Sequence, residues 1–161
     1  AASDEIVAWW DSMAAIVRGM ATAALTETGR TGERLTIAYE HLRTELRPEW
    51  RAIESELCGY DVLSVLSATD HAPLLIEVKA SRARLDNAWF HVTRNEWDTA
   101  LHATHYCFYL WLLGEPPQLA CIPVSEVQNH IARDHGHGMW ETVEIPFAVF
   151  GGSFRVQVQL L

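Results

Sequence analysis

The sequence predicts an α/β or α+β fold with a mixed sheet, helical segments first and then strands with a further helix among them. Three observations carry this. Apolar residues in the first 26 positions recur at the three-four spacing of a helix. The period changes after Trp50, and from there short β-rich runs alternate with one capped helix. At 161 residues the chain has the length of one domain and can bury a real core, and its 49% apolar content is ordinary for a globular protein.

In chain order, residues 4–26 read as the first helix. Ile6, Trp9, Trp10, Met13, Ile16, Val17, Met20 and Ala24 form its stripe, and Gly29 suits its stop. A second helix is expected from Gly32, burying Leu35, Ala38, Tyr39, Leu42 and Leu46 and ending at Pro48. Glu33 and Glu40 lie seven apart and share the opposite edge, where a solvated face is the bland expectation, above all for Glu40. Val62, Leu63, Val65 and Leu66 make one short strand; Leu74, Leu75, Ile76 and Val78 make another, with the turn-like "SATDHA" between them. "FHVTRNEWDTALHATHY" starts as a strand and becomes a helix at Thr93, where Glu96 completes a capping box. "YCFYLWLLG" is apolar on both faces and reads as a central strand. "LACIPV" follows as another strand, Ser125 and Gln128 cap a short helix, and "FRVQVQLL" alternates as a strand with one wet face.

Charge and cysteine usage narrow the class. The net charge of −9 argues against a broad basic face that coats nucleic acid, though not against a local basic patch or a grip supplied by a partner. Cys58, Cys107 and Cys121 are odd in number, widely spaced and form no CxxC pair, which points to a reducing, cytoplasmic setting and to buried small hydrophobes. The residues Asp4 and Glu5 are not the basic start of a signal peptide, and the apolar stretch of residues 13–25 is interrupted by Arg18 and too short to span a membrane, so no membrane partner is expected.

Lys79 is the only lysine; the other basic residues are all arginine. If the two short strands form an antiparallel hairpin centred on Thr69, paired positions sum to 138. Asp61 then lies across from Glu77, and Lys79 shares their face, while Ile76 and Val78 point into the core. Neighbouring carboxylates repel unless a positive charge lies between them, and Mg²⁺ takes oxygen ligands of this kind. A compact lysine ammonium beside such an ion can orient a water for attack on a phosphodiester. An ion-paired edge strand produces the same alternation.

At these residues the sequence resembles a known family. "TGRTGERL", "GYDVLSV", "LLIEVKAS", "FHVTRNEWDTA" and "YCFYLWLL" are similar, in order, to blocks of the NO VEIN C-terminal-like domain, a branch of the PD-(D/E)xK nuclease superfamily that includes restriction enzymes and phage-defence proteins. The resemblance implies a restriction-endonuclease-like core over residues 28–114, with residues 1–27 as an added helix for packing or oligomerisation and residues 115–161 as a C-terminal α/β extension. It implies a Mg²⁺-dependent nuclease, with Mn²⁺ able to substitute, acting on nucleic acid and most plainly on DNA. Asp61 and Glu77 match the metal-binding acids, Lys79 the catalytic lysine, and Glu33 the acidic residue of the first core helix, a further metal or water ligand. Arg94, Asn95 and Glu96 occupy the TRNEW block. Arg82, Arg84, Arg94 and Asn95 are candidates to contact substrate phosphates. Tyr60 stands where the superfamily's proline precedes the aspartate.

Other readings stand beside this one. His130, His135 and His137 cluster around Asp134, and His102 and His105 are three apart, residues of the kind zinc uses, but no cysteine pair accompanies them and the Gly-flanked HGHG reads as a loop. A nuclease fold kept as a non-catalytic nucleic-acid- or protein-binding module would suit the acidic charge. Trp9 and Trp10 sit about 100° apart on the first helix and widen its stripe beyond one packing partner, which predicts a homodimer or contact with another domain or subunit.

Overall fold

The computed structural model describes residues 4–51, 55–134 and 136–160. A single helix, α1, runs unbroken over Asp4–Thr44. The expected stop at Gly29 and restart at Gly32 do not occur: neither glycine interrupts the helix, which also crosses the expected boundary at residue 27. Gly32 serves a different purpose. It lies where α1 crosses the sheet, and a β-carbon there would sit 2.7 Å from the Ala80 Cβ and 3.2 Å from a Val78 methyl. Gly32→Ala is therefore expected to lower the unfolding free energy by about 1–3 kcal/mol in denaturant titrations, although alanine is the better helix former. The helix ends where Glu45 takes a left-handed backbone (φ 62°) and Thr44 Oγ1 accepts the Leu46 N–H, two residues before Pro48.

The buried face of α1 also differs from the expected one. Thr28, Gly32, Thr36, Glu40 and Thr44, each one turn apart, face the protein, while Ala38, Leu42 and Leu46 are exposed and Leu35 and Tyr39 half-buried. The polar ladder is tolerated because every polar group on it is satisfied. The threonine hydroxyls donate to carbonyls one turn back, and Thr36 also accepts the Trp111 indole N–H at 2.8 Å. Glu40, expected on a solvated face, is 0% exposed and accepts from Tyr109, Ser64 and Arg43.

The remaining elements are β1 (Glu49–Trp50), α2 (Ser55–Cys58), β2 (Val62–Val65), β3 (Pro73–Ser81), β4 (Trp89–Thr93), α3 (Arg94–His102), β5 (Tyr106–Leu112), β6 (Gln118–Pro123), α4 (Val124–Val127), β7 (Thr142–Pro146) and β8 (Arg155–Val156), with short 3₁₀ turns between some of them. A mixed six-stranded sheet has the order β1-β2-β3-β5-β6-β8, and β4 and β7 form a separate antiparallel pair. β2 and β3 pair antiparallel with Val62 opposite Ile76 and Val65 opposite Pro73, the register centred on Thr69. β3 and β5 are parallel, the one parallel pairing of this sheet among the described residues, and β5 is central as its two-sided apolar pattern predicts. The capping box at Thr93 and Glu96 is formed in full. The C-terminal segment departs from expectation: only Arg155–Val156 is a strand, followed by a 3₁₀ turn. The α4 N-cap is Pro123, with no side-chain cap from Ser125.

The sheet separates two cores. α1 covers a face built from Val62, Ile76, Val78, Tyr109, Trp111 and Leu119. On the other face Phe108, Leu110 and Ile122 pack with Val92, Trp97 and Phe147 of the β4–β7 layer, α3 and the tail. Each such side chain contributes about 1.5–3 kcal/mol by leaving water.

Candidate active site

The chain enters the sheet through a turn that only glycine fits. Gly59 has φ 73°, and a β-carbon there would lie 2.2 Å from Thr99 Oγ1. The buried Tyr106 hydroxyl donates to the Gly59 carbonyl at 2.7 Å and anchors the turn against β5. Two residues on, Asp61 donates its N–H to the Ile76 carbonyl, and its own carbonyl accepts the Arg51 N–H. Its carboxylate does not simply stand on a sheet face. Oδ2 accepts the backbone N–H of Val78 at 2.9 Å, where β3 extends past the end of β2.

Glu77 and Lys79 point to the face that carries α3. Lys79 Nζ lies 2.9 Å from Glu77 Oε1 and 3.0 Å from Glu96 Oε1. Glu96 thus does two jobs: Oε2 accepts the Thr93 N–H in the capping box, and Oε1 holds the lysine. Asp61 and Glu77 are 6% and 4% exposed. Burial pushes the Glu77 carboxyl well above the ordinary carboxylate range; Lys79 opposes the rise, and Asp61 and Glu96 add to it. Burial lowers the Lys79 pKa, but Glu77 and Glu96 outweigh it and hold the ammonium above the usual lysine value. Lys79 is therefore a fixed positive charge, not the exposed strand lysine that alternation suggests.

Glu33 comes from α1, on the other side of the sheet, and reaches the site at its edge. Its Oε2 accepts the Trp50 indole N–H at 2.8 Å and meets Arg30 at 3.3 Å. The Arg30 guanidinium sits over the Trp50 ring, 5.6 Å from its centre. Burial raises the Glu33 pKa against the Trp50 hydrogen bond, and Asp61 adds to the rise, so the two carboxylates feel one another.

The expected phosphate contacts fare unequally. Arg82 is exposed beyond the end of β3, its Nε 3.3 Å from Thr28 Oγ1, and Arg84 is exposed beside it. Asn95 is exposed in the first turn of α3. Arg94 is engaged elsewhere: it donates to the Trp140 carbonyl, pairs with Asp134 at 2.6 Å and stacks 4.0 Å over the Trp140 ring, clamping the tail onto α3 rather than facing the acids. Sequence reasoning missed Tyr106 and Trp50. Neither carries a signal in its own neighbourhood, because each acts through a partner distant in sequence.

Residues 32–122, more than half of the chain, match the family described as Protein NO VEIN, C-terminal. The chain belongs to that family. No curated protein and no solved structure matches it. The NO VEIN C-terminal match contains Glu33, Asp61, Glu77, Lys79 and Glu96, so the whole acidic cluster lies inside the family's own segment. Among the described residues no three His, Cys, Asp or Glu side chains form a ready metal cage, and His135 of the histidine cluster lies outside them. No described helix is long and apolar enough to cross a membrane.

Proposed function

We propose that this NO VEIN C-terminal domain is a metal-dependent nuclease of PD-(D/E)xK type that hydrolyses phosphodiester bonds, with DNA as the expected substrate and restriction or anti-phage defence as the expected setting. The observation that carries the reading is the meeting of Asp61, Glu77 and a permanently charged Lys79 in one partly enclosed site. A lysine paired once is ordinary. A lysine held between two carboxylates, beside a third that is buried, keeps the charge and the fixed position that a catalytic lysine needs.

The donor set fits a hard divalent cation. It offers carboxylate oxygens only, and Mg²⁺ commonly takes one or two carboxylates and completes its shell with substrate oxygens and water, so a three-residue cage is not required. Asp61 and Glu77 would hold the ion, with Glu33 beside them; Mn²⁺ would serve similarly. When bound, Mg²⁺ supplies Lewis-acid stabilisation at the phosphoryl group and acidifies a coordinated water. The chain's own groups do the rest. The Val78 N–H fixes Asp61. Glu77 and Glu96 take two of the three Lys79 donors and aim the ammonium, whose third N–H can hold a water or a phosphate oxygen. Because Lys79 stays protonated, it orients and stabilises charge rather than acting as a base. Arg82, Arg84 and Asn95 are the exposed groups left to meet the phosphate backbone.

The test is a cleavage assay on plasmid, linear duplex, single-stranded DNA and RNA with Mg²⁺ and Mn²⁺. Cleavage that EDTA abolishes is expected, together with a rise in unfolding temperature on adding Mg²⁺ that Asp61→Asn removes. No cleavage of any substrate, with no metal-dependent shift, would support the non-catalytic module that the −9 charge also suits.

A further inference from the structure

The first half of α1 projects from the protein: among the described residues nothing covers it, and residues 5–27 are exposed throughout. At 1.5 Å per residue this is about 35 Å of bare helix. Ile6, Trp9, Met13, Ile16 and Met20 recur on it at alternating steps of three and four, the 3.5-residue period of a helix seam. With Trp10 they range from 38% to 68% exposed, and the two tryptophan rings meet each other, edge to face at 4.9 Å. A helix this apolar is normally covered.

We propose that this segment pairs with the same segment of a second copy of the chain, antiparallel, with residue i facing residue 29 − i. Such pairing is independent of the chemistry at Lys79. The area suffices. The five seam residues, Trp10 and the flanking apolar side chains each expose on the order of 100 Å², so each copy offers roughly 800 Å², the amount a stable dimer buries per partner. The antiparallel register sets Trp9 against Met20 and Met13 against Ile16, seam position to seam position. Parallel pairing would instead stack tryptophans on tryptophans and crowd two α/β bodies at one end. A membrane surface fits poorly, because residues 5–27 hold one basic residue, Arg18, against Glu5, Asp11 and Glu27.

Sedimentation equilibrium of the full chain at micromolar concentration tests this. A dimer is expected. Met13→Glu/Ile16→Glu should give a monomer whose core unfolds at the wild-type denaturant midpoint, since these residues touch no part of that core. A wild-type monomer, a dimer that survives Met13→Glu/Ile16→Glu, or a helix that instead binds phosphatidylglycerol vesicles would each overturn the proposal.

Discussion

Lys79→Ala is expected to slow metal-dependent strand cleavage by at least about a hundredfold, the usual cost of removing one preorganised donor from a charged transition state. The same change acts on stability, because Lys79 is not a spectator on an exposed strand. It offsets the charge of Glu77 and Glu96, and burial already holds the Glu77 carboxyl well above its ordinary value. Metal-free native protein therefore holds a Glu77 proton more tightly than the unfolded chain does. Stability contributed by that proton is present below the ordinary carboxylate value of 4.5 and is lost as pH rises from there through the raised native value. Without Lys79 the native value goes higher still, so the decline should extend further up the pH scale. Denaturant midpoints measured from about pH 4 to about pH 9 would show it. Lys79→Arg separates the two roles: it keeps the charge, and so most of the stability, but replaces a compact ammonium by a planar fork and should remain slow in cleavage. Near wild-type cleavage by either variant at saturating Mg²⁺ would remove Lys79 from the chemistry.

The parts of this site that were legible in the sequence are those set by local geometry. A hairpin with a defined turn has few registers, and the one that puts Ile76 and Val78 into the core also places Asp61 beside Glu77. The Thr93–Glu96 spacing announces a cap because both halves of that interaction lie within one turn of helix. What sequence could not give is a second use for a residue already explained: Glu96 spends one oxygen on the cap and the other on Lys79, and only tertiary contact reveals the second. The departures in α1 have a single physical origin. Hydrophobic periodicity assumes that the buried face is apolar, but here the inward face is Thr28, Gly32, Thr36, Glu40 and Thr44, and several of the apolar residues face outward. Gly32 has the look of a helix boundary in sequence, whereas the close approach of Ala80 is what demands it. Arg94 looks free for phosphate because its partners, Asp134 and Trp140, lie some forty residues away in a tail without a recognisable pattern.

Arg43→Ala is expected to cost about 3–5 kcal/mol, a larger loss than that of Gly32→Ala. Glu40 is fully buried between α1 and the sheet, and Arg43 is its cation, with Nε bonded to one carboxylate oxygen and a terminal nitrogen to the other. The same guanidinium donates to the Val65 and Leu66 carbonyls, where β2 runs out into its turn, so it ties the helix end to the hairpin that carries Asp61. Removing it leaves a buried carboxylate with only the Tyr109 and Ser64 hydroxyls, and two carbonyls short of a donor. Charge and hydrogen bonding can be told apart. Glu40→Gln added to Arg43→Ala removes the stranded charge but keeps an acceptor for the two hydroxyls, and should recover about 1–2 kcal/mol. If the double variant is no more stable than Arg43→Ala alone, the loss lies in the carbonyl contacts at the hairpin rather than in a buried charge. If Arg43→Ala unfolds at the wild-type midpoint, the network is ornamental and α1 is held by its apolar neighbours alone.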